Sequence, residues 1–422
     1  MRSLMLRKIV TLVLVCVMFF QGSFLYGSET ASLDTLIQEA KEKNPEILAA
    51  KKRWEASLAR IPQEKSLENP SLGLTFEKIP RGTLKLDQTM PEDRMLTVSQ
   101  FLPLFGKLSL KGKIAVIESQ MAAGEYKDKE LEIINAVKNA YYDLWMNHQE
   151  IELSEHTLHL LTALAKVAES RYRVNAMTQE ELLKINLEIA GGVNAIANLK
   201  LEQRTKQTKL NSLLVRDLEN SLGVPELTEQ IGFKDDISSL YTSTLQNKPE
   251  LIILSKAIEK NKNARSLAKR SFFPDLMASV VQRGITSGSL GPWDLMLSFT
   301  VPFWFWTKER YMVKEAIANL EEAQAVYEAM KNKALSETKD MYTRIEIAKN
   351  KIQLYQDTQI PLLEASIQTS MNSFRSGQGD MMILLDSMRM FTETQMDYYR
   401  ALADYHMNIA DLERAVGVEL EK

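Results

Sequence analysis

The sequence predicts a mainly α-helical protein in which long coiled-coil hairpins carry four strands of a membrane β-sheet. The first observation is that residues 107–170 contain no proline and repeat their apolar positions every seven residues. The second is that four short segments alternate between apolar and small polar residues, which is typical of strands with one face in lipid. The third is a duplication: the turn motif that begins at Tyr172 begins again 202 residues later, at Phe374.

The composition of the 422-residue chain favours long, regular elements and argues against nucleic-acid binding. Only 12 prolines and 17 glycines interrupt the chain, so helices and strands can run on without breaks. The formal net charge is −3, which provides no basic excess for contacts to a phosphate backbone. We therefore expect no nucleic-acid partner.

The first 27 residues are typical of a secretory signal peptide. Three basic residues precede an apolar run of about a dozen residues, and small residues follow up to Gly27. This run is too short to predict a spanning helix, and no later segment has 18 consecutive apolar residues. We therefore expect an exported chain that does not cross a membrane by α-helices. Its only cysteine, Cys16, lies in this segment, so the mature chain would have neither disulfides nor a catalytic thiol.

Ordered pairs of similar segments predict an internal duplication. The segment NPEILAAKK at 44–52 resembles KPELIILSK at 248–256, and further pairs keep the same order along the chain. We predict a first repeat over 28–223, a linker over 224–247 and a second repeat over 248–422. Each repeat would contain a helix, two strands and a long helical hairpin.

Heptad spacing predicts coiled-coil helices of unusual length. A helix over residues 107–170 would extend ~100 Å at 1.5 Å per residue. Near the other end of the chain, a seam of mostly apolar residues is spaced by four and three from Leu384 to Val416. A shorter helix is predicted from Leu33 to about Ser66, in front of the first strand. Side chains on these seams are expected to serve helix packing.

Four segments are predicted to be membrane strands, because one face of each is apolar over about 9–11 residues. They are residues 70–78, 94–102, 274–282 and 293–301. Four strands of a soluble sheet are the alternative interpretation. Aromatic residues around the last strand favour the membrane, because such rings concentrate at the membrane–water interface. The predicted interfacial girdle consists of Trp293, Phe303, Trp304, Phe305 and Trp306.

Four strands cannot close a barrel by themselves. An open sheet edge in lipid would leave backbone N–H and C=O groups without partners, at several kcal/mol each. The sequence therefore predicts an oligomer in which copies of the chain complete one barrel. The short polar segments 79–93 and 283–292 would form the outer loops of each copy.

The ordered set of motifs resembles the outer membrane efflux protein family, the TolC-like exit ducts of Gram-negative bacteria. The resemblance covers nearly the whole chain after the signal segment, in both repeats. Besides the two turn motifs, it is carried by Asn44-Pro45-Glu46, Pro70, Val98-Ser99-Gln100, Pro103, Gly106-Lys107, Ala140-Tyr141-Tyr142-Asp143-Leu144 and Pro274.

This resemblance implies a homotrimer whose chains each give four strands to a twelve-stranded barrel in the outer membrane. The coiled-coil hairpins would form an α-helical barrel below it, extending into the periplasm. A periplasmic adaptor protein and an inner-membrane pump would complete a tripartite system. The chain itself would be a passive conduit for small molecules or metal ions, with no enzyme activity and no cofactor.

The resemblance also implies two adaptor-docking tips, where the helical hairpins turn. The family usually has glycine at the first turn, where this chain has Asn175, whereas the second turn keeps Gly377. Both residue types accept the positive φ that ends a helix. The predicted docking residues are Val174, Asn175, Ala176, Met177 and Thr178 in the first tip, and Ser376, Gly377, Gln378, Gly379 and Asp380 in the second.

A periplasmic gate is expected a few residues after the second tip, where family members narrow the tube with acidic side chains. Asp386 matches one such position, while a second acidic position is occupied by Ile383. Three copies of Asp386 would then ring the pore and favour cations.

Other interpretations of the sequence stay open at this point. The chain could be the outer-membrane component of type I protein secretion, or a soluble periplasmic coiled-coil scaffold. Methionines at positions 381, 382, 388, 390 and 396 hint at soft-metal handling, but packing is favoured because Met388 lies on the seam. We predict no metal site, because no acidic or cysteine ligand completes a set with His156 and His159. We also predict no catalytic residues, because no Ser/His/Asp grouping stands out.

Overall fold

The computed structural model describes residues 32–79, 86, 89–227, 232–285 and 291–420. The predicted signal peptide, residues 1–27, lies outside the described residues, as do parts of both predicted outer loops. Within the described residues, no helix is both long and apolar enough to cross a membrane.

The first half of the chain folds into two short helices, two strands and a long helical hairpin. A 3₁₀ turn, Pro91–Asp93, precedes the second strand. In chain order the elements are α1 (Leu33–Lys43), α2 (Pro45–Lys65), β1 (Ser71–Phe76), β2 (Arg94–Leu102), α3 (Lys107–Arg173) and α4 (Gln179–Leu214).

The second half repeats this order, with one irregular segment in its long helix. Residues Tyr355–Gln359 form a π-helical turn between two α-helical stretches. The elements are α5 (Ile237–Asn247), α6 (Pro249–Arg270), β3 (Asp275–Arg283), β4 (Trp293–Thr300), α7 (Glu309–Leu354), α8 (Ile360–Ser376) and α9 (Met381–Val416).

The long helices are confirmed. Helix α3 has 67 residues, which gives it a length of ~100 Å. In the second half, α7, the π turn and α8 follow one another without a break from Glu309 to Ser376. The sequence did not predict the π turn, in which hydrogen bonds from residue i to i+5 replace the usual α-helical ones.

The single helix expected from Leu33 to about Ser66 is wrong, because the chain breaks at Asn44. Pro45 cannot donate a hydrogen bond to the preceding turn, and it occupies the first position of α2. The Asn44 side chain caps α2 by accepting from the Glu46 N–H at 2.9 Å. The same break occurs in the second half, where Pro249 begins α6 directly after Lys248.

Three apolar clusters follow one another along α3 and hold the other helices to it. The first joins α3 to α1 and to the end of α4, around Val137 and Leu144. The second centres on α9, with Leu402 and Tyr405 fully buried. The third lies at the far end of the hairpins and is called the tip cluster. It consists of Leu161, Leu164, Ala165, Ala168, Ile185, Phe374, Met381, Leu384, Leu385 and Met388.

The linker predicted over 224–247 is fastened to both halves by tyrosine hydroxyls. The Tyr141 hydroxyl on α3 donates to the Glu226 carbonyl and accepts from the Glu226 N–H, both at 2.8 Å. The Tyr405 hydroxyl on α9 accepts from the Phe233 N–H at 3.1 Å. The described non-helical part of the linker, residues 224–227 and 232–236, is called the strap, and it contacts the helices where the first two apolar clusters meet. The rest of the linker, Ile237–Asn247, is the helix α5.

An ion pair fastens α1 to the end of α4 and makes stability depend on pH. The Arg216 guanidinium donates to both carboxylate oxygens of Glu39, and Lys43 adds a bond of 2.9 Å. The hydrogen bonds from Arg216 lower the pKa of Glu39 from 4.5 to about 2. Because the folded pKa lies below the unfolded one, this stabilisation is present above pH 4.5 and is lost as the pH falls towards 2.

We expect Glu39→Gln to lower the free energy of unfolding by about 1.5–3 kcal/mol at neutral pH, as for hydrogen bonds to a charged group. The free energy of unfolding of the variant should also change less than that of the wild type as the pH falls from 4.5 to 2. Thermal unfolding followed by circular dichroism over this pH range would measure both effects. The control is Glu55→Gln, because Glu55 pairs with Lys52 on the exposed surface of α2. If the stability of Glu39→Gln and of the wild type changed equally with pH, the ion pair of Glu39 would not be the source of this pH dependence.

Candidate functional site: the strand sheet and the hairpin tips

The four strands form one antiparallel sheet in the order β1-β2-β3-β4. The register places Leu72, Val98, Val280 and Leu295 side by side, so one apolar row crosses all four strands. These side chains are exposed in the single chain, with Leu72 at 71%. This row confirms the alternation that the sequence predicted. An exposed apolar face of this kind is expected to lie against an apolar surrounding such as lipid.

The opposite face of the sheet carries small polar side chains. Ser99 and Ser279 lie in neighbouring strands, and their hydroxyl oxygens are 2.8 Å apart. Near one end of the sheet, Arg283 and Asp294 form an ion pair at 2.6 Å. A barrel closed from this sheet would therefore have a polar interior and an apolar exterior.

The residues of the predicted girdle lie at the two ends of β4. Trp293 begins the strand, and the other four follow its end in a turn between the sheet and α7. All five are exposed, and the rings of the second group contact each other edge to face, as for Phe305 and Trp306 at 4.9 Å. Exposed rings at both ends of an apolar strand are the arrangement expected at two membrane interfaces.

The sheet has two open edges. In the described part of the chain, β1 pairs only with β2 and β4 pairs only with β3. The remaining N–H and C=O groups of both edge strands need partners in lipid. Because β1 and β4 run in opposite directions, one copy's β4 can pair antiparallel with the β1 of another copy.

A buried polar contact fixes the joint between the sheet and the helices. Lys107, the first residue of α3, donates to the Asp275 carboxylate at 2.7 Å and to the Phe273 carbonyl at 2.8 Å. The other Asp275 oxygen accepts from the Leu104 N–H at 3.1 Å. Gly106 stands between them with φ +70, a conformation that favours glycine. In the sequence the Gly106-Lys107 pair is visible only as a family motif, and Asp275 is too far away along the chain to be linked with it.

The first hairpin tip, residues 174–178, is held by hydrogen bonds to the end of α3. The Arg171 carbonyl accepts from the N–H groups of Val174 and Ala176, and Asn175 has the expected positive φ of 53. Thr178 then caps α4 in a reciprocal arrangement with Glu181. Of the predicted docking residues here, Val174, Asn175, Ala176 and Thr178 are exposed, whereas Met177 packs against the tip cluster.

The second hairpin tip, residues 376–380, is a tighter turn. Gly377 has φ +82, and the N–H groups of Gln378 and Gly379 both donate to the Ser373 carbonyl. A Cβ atom on Gly379 would lie 2.6 Å from the Phe374 nitrogen, so this position accepts only glycine without moving the backbone. Asp380 caps α9 by accepting from the Met382 N–H at 2.8 Å.

The two tips are joined to each other by Arg171. Its guanidinium lies over the Phe374 ring, 4.2 Å from the ring centre, and donates to the Arg375 carbonyl at 3.1 Å. Phe374 itself is buried in the tip cluster. The predicted docking residues of both hairpins are therefore held together as one surface, which sequence spacing alone did not show.

Asp386, the predicted gate residue, lies on the first turns of α9. Its side chain is 57% exposed and accepts from Arg389, one turn later, at 2.8 Å. Ile383 is also exposed, whereas Leu384 and Leu385 point into the tip cluster. The carboxylate is thus exposed enough to face a pore, with a cation beside it that the sequence prediction did not include.

The methionines near the second tip fill the core of the tip cluster. Met381 and Met388 are buried there, and Met371 packs against it from α8. Among the described residues, no group of three or more His, Cys, Asp or Glu side chains is placed to hold a metal ion.

The sheet and the helices together define the class of this protein. A four-stranded sheet with an apolar face and open edges, above helices of ~100 Å, defines a subunit of an outer-membrane channel. The sequence matches the family model described as "Outer membrane efflux protein" twice, over residues 36–215 and 240–418. The chain belongs to the outer membrane efflux protein family. No curated protein sequence gives a significant match.

Several solved structures share the fold at low sequence identity. VceC from Vibrio cholerae is 16% identical, with a TM-score of 0.78 over 92% of this chain and 97% of that chain. The open state of MtrE from Neisseria gonorrhoeae is 16% identical, with a TM-score of 0.76 over 92% and 89% of the two chains. The CmeC channel of Campylobacter jejuni is 15% identical, with a TM-score of 0.74 over 94% and 90%.

The family and the fold together establish the class of function and the location. The protein is an outer-membrane efflux channel that extends into the periplasm. It is a passive channel and not an enzyme. Channels of this family form trimers and work with adaptor proteins and inner-membrane pumps.

Proposed function

We propose that three copies of this chain form a passive exit duct for a tripartite efflux system. Each copy would add four strands to a twelve-stranded barrel, with β4 of one copy paired to β1 of the next. The observation that carries this proposal is the pair of open sheet edges beside an apolar face. Small molecules or metal ions would pass through the duct, and an inner-membrane pump would supply the energy.

The hairpin tips are proposed as the docking surface for a periplasmic adaptor protein. They are the exposed turns at the end of two rigid hairpins, and Arg171 holds them together. The aromatic residues 303–306 and Trp293 are proposed as the two halves of the interfacial girdle. This assignment is supported by their exposure at opposite ends of β4.

The two halves of the chain are proposed to derive from a duplication, with repeats over 28–223 and 248–422 and a linker over 224–247. The equal order of helices and strands in both halves supports this, as does the double match to the family. The non-helical part of the linker then serves as the strap that Tyr141 and Tyr405 fasten.

Fractionation and a deletion strain test the proposal. We expect a trimer that dissociates on heating, recovered in the outer-membrane fraction, and a deletion strain with increased susceptibility to drugs, bile salts or metal ions. A monomer released from membranes by salt would contradict the duct and support a soluble scaffold. Loss of a secreted protein with unchanged susceptibility would instead indicate type I secretion.

Asp386 is proposed to line the pore near the periplasmic end, and single-channel recording tests this. Asp386→Asn should raise the conductance and lower the preference for cations, because it removes three negative charges from one ring. Arg389→Gln should have the opposite effect on selectivity, since it removes the cation that pairs with Asp386. Unchanged conductance and selectivity in both variants would show that this pair lies outside the pore.

A further inference from the structure

A dense group of cations lies where the sheet meets the helices. The segments 103–117 and 260–274 together contain eight Lys and Arg residues and no Asp or Glu. They are neighbours in space, because β2 ends beside the start of β3, where Leu102 pairs with Leu276. The contact of Arg270 with the Gly106 carbonyl at 2.8 Å joins the two segments directly.

Most of these cations have no carboxylate partner within the described residues. Lys107 pairs with Asp275, Lys260 lies 4.0 Å from Glu118, and Arg270 is bound to a carbonyl. The other five have no carboxylate within 4.0 Å in the described chain, and we call them the cationic collar. They are Lys111, Lys113, Lys262, Arg265 and Lys269.

Within the collar, three cations of α6 share one face of the helix. Lys262, Arg265 and Lys269 are spaced i, i+3 and i+7. The Nε atom of Arg265 is buried and has no acceptor among the described residues.

Exposed aromatic side chains accompany the collar on its membrane side. Phe105 and Phe273 are both about half exposed, and their ring centres are 4.8 Å apart. Phe272 is exposed beside them. Aromatic rings followed by unpaired cations match the layers of a membrane surface, in which acyl chains give way to charged headgroups.

We propose that the cationic collar binds the headgroups of anionic phospholipids in the periplasmic leaflet of the outer membrane. The proposal rests on the barrel orientation given under the proposed function, in which the helices lie on the periplasmic side. Anionic phospholipids fit the collar for two reasons. Their charge is opposite to that of the collar, and the collar continues the lipid-facing surface of the sheet. Each exposed cation near such a surface strengthens binding roughly fivefold, and salt weakens the attraction.

Native mass spectrometry of the full-length trimer can measure the lipids that it retains from an equal mixture of phosphatidylglycerol and phosphatidylcholine. We expect the wild type to prefer phosphatidylglycerol. The triple variant Lys262→Gln/Arg265→Gln/Lys269→Gln should lower this preference at least about fivefold. The charge-conserving variant Lys262→Arg/Arg265→Lys/Lys269→Arg should keep it.

The matched control removes three exposed cations at or below mid-height of the tube, where no membrane surface lies. Lys166, Arg204 and Lys209 have no carboxylate within 4.0 Å in the described chain, and their Gln variants should retain phosphatidylglycerol like the wild type. No lipid preference in the wild type, or full preference in the collar variant, would overturn the proposal. Changed ion selectivity with unchanged lipid binding would also overturn it, because the collar would then face the pore. Trimer mass from the same samples tests the duct assembly separately.

Discussion

Gly379→Val is expected to reduce pump-dependent resistance to the level of a strain that lacks the channel. The second tip needs glycine here, because a Cβ atom would lie 2.6 Å from the Phe374 nitrogen and 2.7 Å from the Ser373 carbonyl carbon. These are backbone atoms that a rotamer change cannot move aside. The turn must therefore open, and the proposed docking surface changes shape. Minimum inhibitory concentrations in a complemented deletion strain would measure the effect.

Gly377→Asn is the matched control for this experiment. Gly377 also has a positive φ, but a Cβ atom there meets no atom within 4 Å. Asparagine tolerates this backbone conformation, as Asn175 does in the first tip. The control should therefore keep wild-type resistance. Both variants should form heat-dissociable trimers, because neither tip residue belongs to the sheet. Full resistance with Gly379→Val would show that the shape of this turn is not needed for docking.

The second large effect is expected at a buried ion pair that joins the two halves of the chain. Lys138 on α3 donates to the Glu413 carboxylate on α9, and both side chains are only 7% exposed. Lys138→Met would leave the Glu413 charge buried without its cation, at a cost of about 3–5 kcal/mol. Thermal unfolding followed by helical circular dichroism should show a clearly lower midpoint.

Two further variants test whether the loss of stability comes from the unpaired charge of Glu413 and not from the replacement of a lysine as such. The double variant Lys138→Met/Glu413→Leu should recover most of the stability, because an apolar pair of similar size replaces both charges. The surface variant Lys331→Met should cost less than about 1 kcal/mol, because its partner Glu328 is largely exposed. A Lys138→Met protein as stable as Lys331→Met would show that Glu413 finds another partner.

The elements whose signal is local could be predicted from the sequence. The strands were found because apolar and polar residues alternate from Leu72 to Phe76 and from Trp293 to Phe299, and the register preserves this alternation across the sheet. The length of α3 followed from the absence of proline. Together with the motifs shared with the family, these local patterns were enough to predict the fold, the class of function and the location.

The features that depend on distant residues could not be predicted. Lys138 gives no sign in the sequence that its partner is Glu413, 275 residues away. The break at Asn44 was missed because the apolar pattern continues through it, although the following proline was a visible signal. The π turn contains no proline or glycine, but Pro361 follows it and cannot donate to the Asp357 carbonyl four residues earlier, so a visible signal was missed here as well. Gly377 and Gly379 differ in whether they can accept a side chain, because the turn folds back onto Ser373 at Gly379. The sequence does not show this contact.

The strap between the two halves has a mechanical consequence for the tube. Tyr141 and Tyr405 fasten it to α3 and α9, and Lys138 with Glu413 and Asn135 with Asp411 connect the same two helices nearby. A hollow cylinder widens most easily where nothing resists circumferential stretch. Among the described contacts at the tips, the tip cluster and Arg171 resist such a stretch. In the proposed trimer, the three straps would act as a hoop at mid-height. The bore should therefore vary at its periplasmic mouth and stay nearly constant at the hoop.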